Sequence, residues 1–185
     1  GPRLISLARN ALANNDIRQI AREDLERLGD ETGETVHLAI PSGNQMVIID
    51  KIESREVVRM ASVIGMLVPF HTTGVGKAFL VGLKAQKMSD LINRLPMEKI
   101  TSFATTDPEK LQQKIINAQK EGFIHDDQEN EKGIVCYGAP IFDATGEPVA
   151  GVSVSTPSFR LDENSAHYTQ PLMTCAKAIS DKLSH

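Results

Sequence analysis

The stretch EGFIHDDQENEKGIVCYGAPIFDATGEPVAGVSVSTPSFR, Glu121 to Arg160, decides the fold. Two runs of strand character, Gly133–Phe142 and Glu147–Ser155, flank Asp143-Ala144-Thr145-Gly146, a turn short enough to make them an antiparallel hairpin. Within Val149–Ser155 the side chains alternate: Ala150, Val152 and Val154 point one way, Gly151, Ser153 and Ser155 the other. The hydroxyl face suits either solvent or a small polar ligand lying on the sheet. On the partner strand Cys136 shares a face with Ile134 and Gly138, where a free cysteine packs as a small buried hydrophobe. Ahead of the hairpin, Phe123–His125 leads into an acidic loop, Asp126–Lys132. Such a run is commonly a solvated surface, but one carboxylate of it can point into a pocket and accept hydrogen bonds from a ligand hydroxyl. Its glycine and terminal glutamate are misplaced for a calcium-binding EF-hand loop.

Moving toward the N-terminus, Pro108–Glu121 reads as a helix. Asp107 caps it, Pro108 opens its first turn, Leu111, Ile115 and Ala118 form its stripe, and Gly122 ends it. Lys84–Leu95 is another, with Met88, Leu91, Ile92 and Leu95 in phase. Before it, GMLVPFHTTGVGKAFLVGL (Gly65–Leu83) runs through a Pro-containing loop into a helix starting near Gly74. Three strand-like runs precede that loop: Thr35–Ile40, Met46–Ile52 and Glu56–Val63. They are joined by the turns Pro41-Ser42-Gly43-Asn44 and Glu53-Ser54-Arg55. Two helices open the chain. Arg3–Asn15 carries Leu4, Leu7, Ala8, Ala11 and Leu12 on one side. Ile17–Thr32, capped by Asp16 and closed by Gly33, carries Ile17, Ile20, Ala21, Leu25 and Leu28. At the other end Glu163–Leu183 is helical, with Leu172, Ala176, Ile179 and Leu183 in phase and Pro171 either kinking or restarting it. The sum is an α+β domain: an antiparallel sheet of five or six strands, helices inserted between its halves and flanking it at each end, in the manner of GAF and PAS sensor domains.

Composition narrows the function. With 185 residues the chain suits one domain, or one domain plus a docking helix. Its 20 Lys+Arg against 24 Asp+Glu leave a formal charge of −4, a poor electrostatic match for a DNA backbone. At 41% apolar and 24% charged residues it is globular, and no apolar run approaches the ~20 residues that span a bilayer. Two cysteines, Cys136 and Cys175, are too few for a disulfide framework or a Cys-rich zinc site, so a reducing, cytoplasmic setting and no resident metal or cofactor are expected.

The segment TTGVGKAF, Thr72–Phe79, invites comparison with a Walker A loop. That loop needs a glycine five positions before the glycine of its Gly-Lys pair and a Ser or Thr after the lysine; here those positions are His71 and Ala78. What remains is a glycine-rich helix start, whose free amides at Gly74, Val75 and Gly76 would attract a carboxylate or phosphate. A catalytic set of Cys136 with His71 or His125 and Asp126 has the right residue types but no nucleophile signature around the cysteine. The other histidines, His37, His167 and His185, read as strand, helix-surface and tail residues.

LISLARNAL, ETVHLAI, PFHTTGVGKAFL and residues 121–160, in that order, resemble the C-terminal effector-binding domain of the IclR family of bacterial transcriptional regulators. The likeness runs from about Leu4 to Leu183; its most specific parts are TGVGKA, the Asp-Asp-x-Glu loop leading to GIVC, and APIFD…G…AGVSVSTP. It implies a non-enzymatic domain that binds a small metabolite, often an organic, sugar or aromatic acid. It also implies homodimers or homotetramers, and contact with DNA only through a winged helix-turn-helix normally preceding it. Residues 1–15 would then be the connecting helix and residues 16–185 the effector-binding domain. Carried over by position, Gly74 and Val75 match the backbone-amide pair, Asp126 the pocket carboxylate, and Ile134 and Cys136 the strand positions after the glycine. Ser153 and Ser155 match the paired hydroxyls, and Val57 and Met60 the apolar wall. The position of Val75 is often alanine in the family, so a bulkier side chain narrows the site. Small polar candidates and few aromatics lean toward a short hydroxy- or keto-acid or a sugar acid.

Overall fold

The structure, a computed structural model, describes residues 2–185, with side chains from Asp16 onward. Six strands form one sheet in the order β3-β2-β1-β6-β5-β4, every neighbouring pair antiparallel. They are β1 (Thr35–Ser42), β2 (Gln45–Ile52), β3 (Leu67–Pro69), β4 (Ile124–Asp127), β5 (Ile134–Phe142) and β6 (Pro148–Pro157). The helices are α1 (Pro2–Thr32), α2 (Gly74–Val81), α3 (Ala85–Arg94), α4 (Pro108–Glu121) and α5 (Ala166–Leu183). The α+β reading holds, with six strands.

The sheet is covered on both faces because its strands alternate. Val36, Leu38, Val152 and Val154 face α1 and α5, where Leu25, Leu28, Leu172 and Ile179 are almost wholly buried. Each such side chain contributes roughly 1.5–3 kcal/mol. The other face carries Ala39, Ile48 and Ile124 against α2, α3 and α4. Between Leu38 and Ala39 the β1–β2 register slips by one residue of β2, which turns Ile48 toward the α2 face and Ile49 toward the α1 face.

Helix α2 lies closer to the sheet than side chains normally allow. A Cβ added to Gly151 would stand 2.2 Å from the Val75 carbonyl oxygen, and one added to Gly138 would stand 2.3 Å from that of Gly74. All eight residues of α2 are buried. The glycines of β5 and β6 therefore set the height of the helix above the strands.

Four expectations change. The two opening helices are one: α1 runs through Asp16, because a lone capping residue stops nothing where helical bonding continues on both sides. The stripe from Leu4 to Leu12 lies outside the described side chains. Glu56–Val63 is not a strand; its Val57, Val58 and Val63 are exposed, and the edge strand beside β2 is Leu67–Pro69. Asp126 and Asp127 belong to β4 rather than to a loop. The last helix begins at Ala166 and continues through Pro171, which lies in its second turn, where the lost N–H costs one bond only. Helix α4, by contrast, has the expected bounds, with Asp107 accepting from the Glu109 amide and Gly122 left-handed at φ 84°.

Candidate functional site

Strand register brings the candidates together. Asp126 of β4 pairs with Cys136 of β5, and Cys136 with Ser155 of β6. One step along, Gly138 pairs with Ser153, and Ser153 with His37 of β1. These two rows lie on the α2 face. The start of α2 stands over them: a Cβ on Gly74 would come 2.9 Å from Cβ of Cys136 and 3.3 Å from Cβ of Ser153.

The result is a partly enclosed hollow of about 230 Å³. Gly74, Val75, Asp126, Ile134, Cys136, Ser153, Ser155 and Met60 all line it. Val57 does not. It is 96% exposed and its segment runs outside the sheet, so its placement in the wall is corrected. Sequence alone assigns no site role to several other lining residues, among them His37, Ile48, Ser62, Thr73 and Asn130. For His37 the only available signal was register, because β1 had to be set against β6 before its ring could be placed beside Ser153.

The α2 terminus is arranged to leave two donors over. Thr73 caps it, accepting the Gly76 amide at 3.0 Å on its side chain and the Lys77 amide at 3.0 Å on its carbonyl. The amides of Gly74 and Val75, the first two of the helix, have no intrahelical acceptor. Gly74 and Val75 line the same hollow as Ser153 and Ser155, whose side chains are both nearly fully buried.

Behind them lies an ion cluster. Lys77, fully buried, places its ammonium 2.5 Å from Oδ1 of Asp126 and also on Glu129. Glu129 further accepts the Thr105 amide at 3.0 Å and lies 3.7 Å from Lys114. Burial pushes Asp126 up to about 6 although Lys77 opposes it. Glu129 is buried too, which would raise it, but Lys77, Lys114 and Thr105 together hold it down to about 2.

The Cys136 thiol touches the Ser155 hydroxyl at 3.1 Å, and burial, then the nearby Asp126 charge, push it up to about 12. His125, beside Asp126 in sequence, faces the opposite side of the sheet and stacks on Tyr137 at 4.8 Å. His71 Nε2 lies 2.7 Å from the Glu98 carbonyl. Neither histidine lines the hollow, so the nominal Cys–His–Asp set is not assembled. Among the described residues no group of three or more His, Cys, Asp and Glu is placed to hold a metal ion. No described helix is long and apolar enough to cross a membrane.

A partly enclosed hollow with mostly apolar walls and a few convergent polar groups is a candidate small-molecule site. Comparison with known proteins says which kind. The family model described as "Bacterial transcriptional regulator IclR C-terminal" matches residues 9–181, and the chain belongs to that family. The HTH-type transcriptional regulator KdgR of Dickeya chrysanthemi is 31% identical over 184 residues, covering 99% of this chain and 60% of its own length. The transcriptional repressor IclR of Escherichia coli K12 is 31% identical over 172 residues, covering 91% of this chain and 63% of its own. The crystal structure of the Thermotoga maritima IclR superposes with a TM-score of 0.89 at 35% identity, over 100% of this chain and 75% of that one. The chain thus spans about three fifths of the length of these two curated relatives.

Proposed function

We propose that this chain is the effector-sensing part of a DNA-binding transcriptional regulator, and that it binds a small carboxylate without transforming it. The carboxylate rests on the Gly74 and Val75 amides and takes hydroxyl donors from Ser153 and Ser155. Asp126 and Cys136 bound the site on the β4 side, Ile134 and Met60 supply apolar wall, and Val75 narrows it. Residues 16–185 form the sensing domain, and residues 1–15 continue α1 toward a preceding winged helix-turn-helix that makes the DNA contact. The working unit in the cytoplasm is a homodimer or homotetramer, and the ligand acts by favouring one quaternary arrangement over another.

The observation that carries this reading is convergence: two free helix-terminal amides and two buried hydroxyls, from α2 and β6, share one hollow of about 230 Å³. Hydrogen bonds to a charged group contribute about 1.5–3 kcal/mol each, so a handful supports roughly micromolar to millimolar affinity. Enzymatic use is disfavoured because the thiol in the hollow is held un-ionised, neither His71 nor His125 lines the hollow, and His37, which does, turns its Nε2 to the Ser62 hydroxyl. Calorimetric titration with a panel of organic and sugar acids tests the proposal. Saturable binding of at least one is expected, and heat from turnover, or binding by none, would overturn it.

A further inference from the structure

We propose that His37 and Ser62 select the effector, and that the hollow takes a monocarboxylate with a compact apolar body and one uncharged hydrogen-bonding group remote from the carboxylate. This rests on the reading above and adds the class of acid.

The hollow has two unlike sides. Away from Asp126 it runs across β6 and β1 to β2, so His37 and Asp126 stand three strands, roughly 14 Å, apart. On the His37 side the wall is Ile48, Met60, Met66 and Val68. The segment bearing Met60 to Met66 is fastened over the sheet. Lys51 donates to the carbonyls of Met60 at 2.9 Å and Ser62 at 2.6 Å, while the Gly65 amide donates to Ile48 at 2.7 Å and the Ile48 amide to Met66 at 3.0 Å. A ligand carbon skeleton entering here meets methionine, isoleucine and valine. Hydroxyls along it would be stripped of water without partners, which disfavours a polyhydroxylated acid.

One polar station interrupts this wall. His37 Nε2 lies 2.5 Å from the Ser62 hydroxyl, and both residues line the hollow. A serine hydroxyl has one donor and two acceptor sites, so Ser62 can bond the ring and a ligand atom together. Burial, and then the charge of Lys51, hold the His37 ring down to about 4, so at neutral pH it offers hydrogen bonding without charge. Among the described residues that line the hollow there is no lysine or arginine, whereas Asp126 and Glu131 are present. A second anionic group on the ligand would therefore find no cation.

The test is calorimetry with three acids on one ring, 4-hydroxycyclohexanecarboxylate, cyclohexanecarboxylate and glucuronate, and three on an open chain, 5-hydroxypentanoate, pentanoate and gluconate. Wild type is compared with His37→Ala, His37→Asn, Ser62→Ala and Ser153→Ala/Ser155→Ala. In at least one series the hydroxyl acid is expected to bind about fivefold or more tighter than its parent, with the sugar acid weakest. Within His37→Ala and within Ser62→Ala the hydroxyl acid and its parent should bind within about twofold of each other, whatever the absolute affinity, and His37→Asn should restore part of the gain. A sugar acid that binds best, or a hydroxyl gain that survives both alanine variants, overturns the proposal while leaving the carboxylate cradle intact. Binding by none of the six, or full affinity in the double serine variant, overturns the cradle itself.

Discussion

The ammonium of Lys77 lies 2.5 Å from Oδ1 of Asp126, and both side chains are withdrawn from water. Because Glu129 takes the same ammonium, two carboxylates share one cation inside the domain. Lys77→Met removes that cation and leaves both acids buried and uncompensated. A loss of about 3–5 kcal/mol in urea unfolding at pH 7 is expected, shrinking as the pH is lowered toward 5 and the acids take up protons. A loss below about 1 kcal/mol at pH 7 would mean that the cluster is open to solvent.

The same cluster sets a pH dependence. Asp126 is raised from 3.8 to about 6 by burial, so its contribution to stability is fully present below 3.8 and is lost as the pH rises through 6. Glu129 moves the other way, from 4.5 to about 2, so its contribution is present above 4.5 and is lost as the pH falls toward 2. The two acids titrate as a pair, and the split follows from structure: Glu129 has Lys114 and the Thr105 amide besides Lys77. Of these two acids only Asp126 changes its contribution between pH 7 and 5, and the lowered histidines, His37 and His125, act alike in wild type and variant. The stability difference between wild type and Asp126→Asn should therefore grow in favour of wild type as the pH falls from 7 to 5. A difference that stays flat or shrinks would place the raised value elsewhere.

The height of α2 above the sheet is a second lever. Gly151→Ala would set a methyl group 2.2 Å from the Val75 carbonyl oxygen, a backbone atom that moves only with the helix. A destabilisation of about 3 kcal/mol or more is expected, the upper end of overpacking, with loss of ligand binding in whatever folds. Gly43→Ala is the contrast: the site is open, its φ is +61°, and the cost should be that of a left-handed alanine, about 1–2 kcal/mol. Equal costs at the two positions, read by thermal unfolding, would show that α2 yields readily.

Cysteine chemistry separates sensor from enzyme. Cys136 and Cys175 are both buried and both pushed up to about 12, by burial first and then by Asp126 and Asp24 respectively. Native protein treated with iodoacetamide at pH 7.5 should show slow alkylation of both thiols, accelerated only by unfolding. Rapid, selective labelling of Cys136 would favour a nucleophile.

What could be read in advance follows the range of the interactions. Helix α4 was legible to the residue because Asp107, Pro108 and Gly122 act on neighbouring backbone. The β5–β6 hairpin was legible because its alternation and turn are local. Glu56–Val63 misled because β-branched residues signal a strand whether or not anything covers them, and Val57 is left in solvent. Lys77 was read as part of a glycine-rich helix start, since its two acids lie 49 and 52 residues away and nothing nearby announces a buried cation. Asp126 was expected in the pocket but on a loop, because the two aspartates disguise the alternation of a four-residue edge strand. Ser153 and Ser155 were legible as one face, while their neighbour His37 required knowing which strand lies beside them.

The most direct measurement is calorimetry of the tightest-binding carboxylate on wild type and on Ser153→Ala/Ser155→Ala. Loss of two charge-assisted hydrogen bonds at about 1.5–3 kcal/mol each should weaken binding by at least about a hundredfold. Thermal unfolding of the ligand-free domain, run alongside, separates lost contacts from lost structure. A double variant that folds and binds with unchanged affinity would contradict the cradle formed by α2 and β6.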